Sequence, residues 1–291
     1  MLVTIENSFL RLSVKGSGAE MVSLCHLENN REYLWQGDPS FWPRRAPVLF
    51  PVVGKLNQHT YRIDGKSYTL PQHGFARDKT FDLVAGTDDK LVFQLRDDEE
   101  SRKNYPFLFK LFICYQLIGN KLLVTYEVKN PDQKELLFSI GAHPGFALDS
   151  RDGNTLDEFY LEFEEKENVE RYLLKEGLFS GEKEAVLTDS AILPLNYKLF
   201  EKDAIVLKDL KSSAVSLKSR SGDYNLKFGF ESWPHFGIWT PKNNAPFLCL
   251  EPWQGLADTY EYTGEFAGRE GVIILPAGES FKRSYSIEIM D

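Results

Sequence analysis

Alternation at period two narrows the fold of this chain more than any other feature. A strand sends successive side chains to opposite faces, and a helix does not. In "YSIEI" (285–289), Tyr285, Ile287 and Ile289 share a face against Ser286 and Glu288, and "LRLSV" (10–14) alternates in the same way. Two hairpins are legible. "YRIDGKSYTL" (61–70) sets Asp64-Gly65 between two strand-like arms, a pair suited to the positive-φ positions of a tight turn. "FKLFICYQLIGNKLLVTYEVKN" (109–130) turns at Gly119-Asn120 between two long strands. Further strand-like runs occupy 135–140, 158–163, 203–207, 213–218, 224–230 and 246–250. Helical candidates are confined to 97–105 and 255–262, a turn or two each. The acidic run 162–170 reads as a solvated strand end and loop. No Ser/Pro/Gly-rich linker, low-complexity tract or internal repeat divides the chain. The expected fold is all-β, one large antiparallel β-sandwich spanning 1–291 as a single domain.

Charge and composition restrict the partners. The net charge is −9 and no basic run exceeds a pair, which argues against nucleic acid or an anionic membrane surface. The N-terminus lacks a basic region followed by an apolar core, and no run approaches the ~18 apolar residues of a membrane helix. A soluble cytoplasmic protein, monomer or homodimer, is expected. Cys25, Cys114 and Cys249 are odd in number and set among apolar neighbours, as expected of buried, reduced thiols.

The candidate chemistry starts at "PFLCLEPWQGLAD" (246–258), where four apolar residues run into Glu251 and Pro252 follows at once. A carboxylate at the end of a buried strand is costly unless something pairs with it or uses it. Of the five histidines, His26 and His59 lie in polar stretches, and His235 in "WPHFGIW" is placed to line a pocket. His73 in "LPQHGFARD" and His143 in "FSIGAHPGFAL" each stand where a strand gives way to Gly and Pro. No HxH, HExxH or CxxC spacing favours a metal, and neither a Gly-rich phosphate loop nor GxSxG is present. Acid–base chemistry by a carboxylate and a histidine remains, with no cofactor expected. Burial would raise the Glu251 pKa towards that of a general base usable near neutrality, and a protonated His143 would donate from the other side of a substrate. Trp239 and the other tryptophans suit stacking on the apolar face of a sugar ring.

At these residues the sequence resembles the aldose 1-epimerase (galactose mutarotase) family over nearly its whole length, most closely the lacX-type branch. The resemblance rests on "RRAPVLFPVVGKL", "QHGFARD", "SIGAHPGF" and "LEPWQGLAD", in that order. It implies a galactose mutarotase-like supersandwich and a small-molecule sugar, an aldohexose, as substrate. It also implies roles: Glu251 as general base, His143 as general acid, and His73 orienting the substrate near its ring oxygen. Asp203 matches a hydroxyl-binding aspartate. Lys55 falls where well-known members carry arginine, and Ala142 where they carry asparagine. Two alternatives stay open on the same fold, a hexose-6-phosphate 1-epimerase and a non-catalytic carbohydrate-binding protein. For the first, Arg45 and Arg77, with Arg44 and Lys79, are the candidate phosphate ligands. Arg44 and Arg45, adjacent on an extended segment, are expected to point to opposite faces.

Overall fold

The hairpin of Lys110–Ile118 and Lys121–Lys129 shows how alternation becomes a core. Leu111, Ile113, Tyr115 and Leu117 are buried on one strand, and Leu122, Val124, Tyr126 and Val128 on the other. The pairs Ile113↔Tyr126 and Tyr115↔Val124 hold the register, so a one-residue slip would expose the whole set. The computed structural model describes residues 1–290 and is built from antiparallel sheets throughout.

Among the described residues the largest sheet has fifteen strands. From one edge its order runs Val48–Leu49, Ile140–Ala142, Phe247–Gln254, His235–Trp239, Ile205–Lys208, Phe159–Lys175, Ala214–Ser219 and Asn225–Gly229. It continues through Ser280–Ile289, Lys121–Lys129, Lys110–Ile118 and Lys90–Arg96 to Asp82–Gly86. A four-stranded sheet, Leu2–Glu6, Leu10–Lys15, Glu20–His26 and Arg31–Glu32, contributes Leu10, Leu12, Val14 and Leu24 to the same hydrophobic core. The all-β expectation holds. Both hairpins form, and Asp64 and Gly65 take the positive φ values expected of their turn.

Three readings of the sequence are corrected. The stretch 255–262 is irregular rather than helical. It is fixed by Asp258, whose carboxylate meets Arg269 Nε at 2.6 Å and accepts the Asn57 N–H at 2.8 Å. The other helical candidate does form, as Glu99–Asn104, capped reciprocally by Asp98 and Ser101. The acidic run 162–170 is not a loop but part of the long strand Phe159–Lys175, hairpinned with Leu178–Pro194. A bulge after Glu162 carries Glu164 and Glu165 outward, and Glu167 then turns in to accept from Ser212. Polarity alone concealed a strand whose acids lie mostly on its wet face. Of the thiols only Cys249 is fully buried; Cys25 and Cys114 are half-buried, and all three are free.

The third correction concerns Glu251. It does not end a strand. Phe247–Gln254 continues through Pro252 for three residues beyond it, buried along its length. One neighbour, His235–Trp239, pairs with it continuously, Gly237 opposite Glu251 and Phe236 opposite Pro252. The other neighbour is broken: Ile140 and Gly141 pair with Gln254 and Trp253, Gly145 to Ala147 pair with Cys249 to Phe247, and His143-Pro144 fills the gap. The Leu250 N–H points to that side, reaching Pro144 O at 3.2 Å, so position 252, two residues on, faces it too. Pro252, which has no N–H, therefore sits where the ladder is already interrupted.

Candidate active site

The break in the ladder creates the site. Within Phe247–Gln254 the even residues Leu248 and Leu250 enter the main core, whereas Phe247, Cys249, Glu251 and Trp253 project to the opposite face. His143, in the gap of the neighbouring strand, brings its Nε2 to 3.2 Å from Glu251 Oε2. Both line a cavity of about 260 Å3 together with His73, Arg77, Asp203, Trp42, Trp239 and Trp253. That volume lies just below the roughly 300–1,000 Å3 of sites for drug-sized ligands, a size suited to one small ring.

Packing fixes each group. Trp42 stacks on the His143 ring at 4.9 Å between centroids, and Trp239 meets it edge-on at 5.5 Å. His73 stands perpendicular to His143 at 5.8 Å. Its backbone takes the left-handed conformation (φ 65°), and its Nδ1 accepts the Gly54 N–H at 3.1 Å. The neutral His73 ring therefore carries its proton on Nε2. Gly74 beside it cannot be replaced, since a Cβ there would lie 2.2 Å from the Phe50 carbonyl oxygen. Gly237 serves Glu251 similarly. A Cβ at 237 would sit 2.8 Å from the Trp253 ring and 3.2 Å from Glu251 Cβ, so the bare backbone leaves room for both side chains.

The electrostatics follow from dryness. Burial pushes the Glu251 carboxyl well above the ordinary 4.5; Trp253 opposes this and the Asp203 charge adds to it. Burial also pushes His143 down to about 3, with the Arg77 and Arg44 cations contributing. His73 is lowered for the same reasons, with His143 adding to the effect. Burial thus favours the neutral form of the pair, with the proton on Glu251 and a neutral imidazole on His143, over the ionic form. Moving that proton across 3.2 Å yields carboxylate and imidazolium with no change in proton count.

Of the residues singled out in the sequence, Glu251, His143, His73, Arg77, Asp203 and Trp239 converge on the cavity; Lys55 and Arg45 do not line it. Lys55 Nζ instead donates to the Glu176 carbonyl at 3.0 Å, and the Arg45 side chain runs beside Gly37. Arg44 pairs with Asp78 at 2.8 Å, and Arg77 Nη2 donates to the Gln72 carbonyl at 2.7 Å. Asp203 precedes Ile205–Lys208 in the left-handed conformation, its carboxylate accepting the Ala204 N–H at 2.8 Å. His235 is buried outside this cavity and lies 3.5 Å from Glu270. Trp42 and Trp253 are wall residues that the sequence offered only as members of its aromatic supply. For Trp253 a signal existed, its position two residues beyond Glu251 on a continuing strand; for Trp42 there was none.

Comparison with known proteins identifies the family and the fold. The aldose 1-epimerase family model matches residues 1–272. Protein LacX of Lactococcus lactis subsp. lactis, in its chromosomal form, is 32% identical over the full length of both chains. A galactose mutarotase related enzyme from Lactobacillus acidophilus has a solved structure that superposes with a TM-score of 0.95 at 32% identity, covering 100% of this chain and 98% of that one. A galactose mutarotase-like protein from Lactobacillus casei ATCC 334 superposes at 0.94, also at 32% identity, with both chains fully covered.

Proposed function

The chain belongs to the aldose 1-epimerase family, and from that premise we propose that it interconverts the α and β anomers of an aldohexose, with Glu251 as base and His143 as acid. The observation that carries this reading is the 3.2 Å contact between Glu251 Oε2 and His143 Nε2 on the wall of a small, aromatic cavity. Sugar hydroxyls entering the cavity replace the water that the pair has lost, which favours the ionic form of the pair. Glu251 then removes the proton from the anomeric C1 hydroxyl while His143 gives one to the ring oxygen, and the C1–O5 bond breaks. Rotation about C1–C2 presents the other face of the aldehyde. Reversal of both proton transfers closes the ring and restores the pair. Neither electrons nor groups are transferred, so the chemistry requires no cofactor. Trp42 and Trp239 hold the His143 plane fixed, His73 addresses the ring-oxygen side, and Asp203 is placed to accept from a hydroxyl.

Polarimetry on freshly dissolved α-glucose or α-galactose tests the proposal. The optical rotation is expected to relax several-fold faster with protein than in buffer alone, without added metal. A relaxation equal to that of buffer rejects it.

Free sugars are expected to be preferred over their 6-phosphates by at least about tenfold in kcat/KM, a difference of ~1.4 kcal/mol. A phosphate dianion is held best by converging arginine forks. Among the described residues Arg77 is the one Lys or Arg on the cavity wall, and it already donates to the Gln72 carbonyl, while Arg44 is tied to Asp78. NMR anomeric-exchange rates for glucose and glucose 6-phosphate in one buffer check this. Faster exchange of the phosphate, abolished by Arg77→Ala, would favour the hexose-6-phosphate 1-epimerase reading.

A further inference from the structure

Two residues before Glu251, on the same face of the strand, lies Cys249, which the mechanism does not use. Its side chain is wholly buried and does not line the cavity. Its Sγ, a carboxylate oxygen of Glu251 and a ring nitrogen of His143 nevertheless all lie within 4.8 Å of one another. We propose that His143, Cys249 and Glu251 together form a site for a borderline divalent metal ion of the zinc type, whose occupation blocks the proton-transfer pair.

The donor set favours this class of ion. Thiolate and imidazole select zinc-like ions over magnesium or calcium, which want oxygen alone. Tetrahedral zinc, with bonds of about 2.0–2.3 Å, keeps its ligand atoms roughly 3.3–3.8 Å apart. The observed spread therefore needs about 1 Å of side-chain adjustment. One further feature points to a ligand: His143 Nδ1 is buried with no hydrogen-bond partner, and Glu251 Oε2 has no contact other than His143 Nε2 at 3.2 Å. The cavity gives an ion its entrance, and a water or sugar oxygen its fourth position. Arg77 and Arg44 oppose a cation electrostatically. The thiolate and carboxylate would supply two negative charges to a bound ion, against two cations engaged elsewhere, Arg77 with the Gln72 carbonyl and Arg44 with Asp78. On binding, the thiol proton leaves to solvent, as does the carboxyl proton where Glu251 holds one, and both oxidation states are unchanged.

The proposal rests on the epimerase reading only for its consequence, inhibition; the site itself is tested without activity. Zinc titration of the purified protein by calorimetry is expected to give one ion per chain with a dissociation constant at or below about 1 μM. Cobalt(II) in its place is expected to show the near-ultraviolet thiolate charge-transfer band. Cys249→Ser should remove that band and weaken zinc binding by more than the ~10-fold that loss of even a supporting partner costs. Glu251→Gln, which leaves the thiol untouched, should weaken binding as well, so misfolding of one variant cannot decide the outcome. No binding at about 100 μM zinc, or an affinity and cobalt spectrum unchanged by Cys249→Ser, overturns the site. Where anomer exchange is measurable, zinc should suppress it in the wild type and far less in Cys249→Ser; equal suppression in both overturns the inhibitory role. Binding without any anomer exchange would leave the metal site standing and reject the function.

Discussion

Glu251→Gln is expected to lower the rate of anomer interconversion by about 10²-fold or more, the usual contribution of a general base, while sugar binding is largely retained. The amide keeps the shape of the carboxyl and loses the ability to accept the C1 proton. The same substitution is expected to stabilise the fold. Burial raises the carboxyl pKa well above 4.5, and a group whose folded pKa is raised contributes fully below its unfolded value and loses that contribution as pH rises towards the folded one. The wild type should therefore melt close to the variant near pH 4.5 and fall progressively below it towards pH 8. At about 2–4 °C per kcal/mol for a chain of this order of size, the gap at pH 8 is measurable by calorimetry. A near-wild-type rate would reduce Glu251 to a structural carboxylate; a variant that melts lower at every pH would reject the electrostatic account.

The second large effect concerns stability at a distance from the proton transfer. Asp258 closes the "LEPWQGLAD" motif, and its pair with Arg269 is 3–4% exposed on either side. Arg269 Nη2 also donates to the Leu256 carbonyl, and the backbone of Asp258 bonds to Lys55 and Phe179. Removing one partner leaves a buried charge alone, so Arg269→Met is expected to cost about 3–5 kcal/mol. The double variant Asp258→Asn/Arg269→Met should recover much of that loss, because a neutral pair carries no uncompensated charge. Urea unfolding checks both, with the midpoint falling and the slope unchanged. A loss below about 1 kcal/mol in the single variant would contradict a dry pair.

Legibility followed the scale of the physics. Alternation and turn chemistry act locally, so the hairpins at Asp64-Gly65 and Gly119-Asn120 and the all-β class could be read directly. The strand through 162–170 was missed because a bulge breaks the alternation and acids on a wet strand face resemble a loop. The extension of the strand past Pro252 was hidden for another reason. Proline is excluded from a strand only where its missing N–H would be used, and that depends on a neighbour more than a hundred residues away. At the site, Glu251, His143 and His73 stood out because charge or imidazole among apolar residues is costly without a use. Lys55 was matched by its position in a motif and Arg45 offered as a cation for a phosphate, but their side chains follow local partners, the Glu176 carbonyl and the Gly37 segment. Trp42 gave no signal, since a wall aromatic and a core aromatic look alike in sequence.

The placement of Glu251 inside a buried strand, opposite an unbroken neighbour, bears on how the molecule fails. Groups on surface loops can be disarmed by local opening, whereas a buried strand paired on both sides resists it. Glu251 lies on a buried strand with pairing partners on both sides, and it cannot leave its position without opening that part of the sheet. Partial damage at the periphery, a clipped hairpin or a frayed edge, leaves the pair aligned. Inactivation by heat is then an all-or-none event for each molecule, and a half-active population is a mixture of intact and unfolded chains.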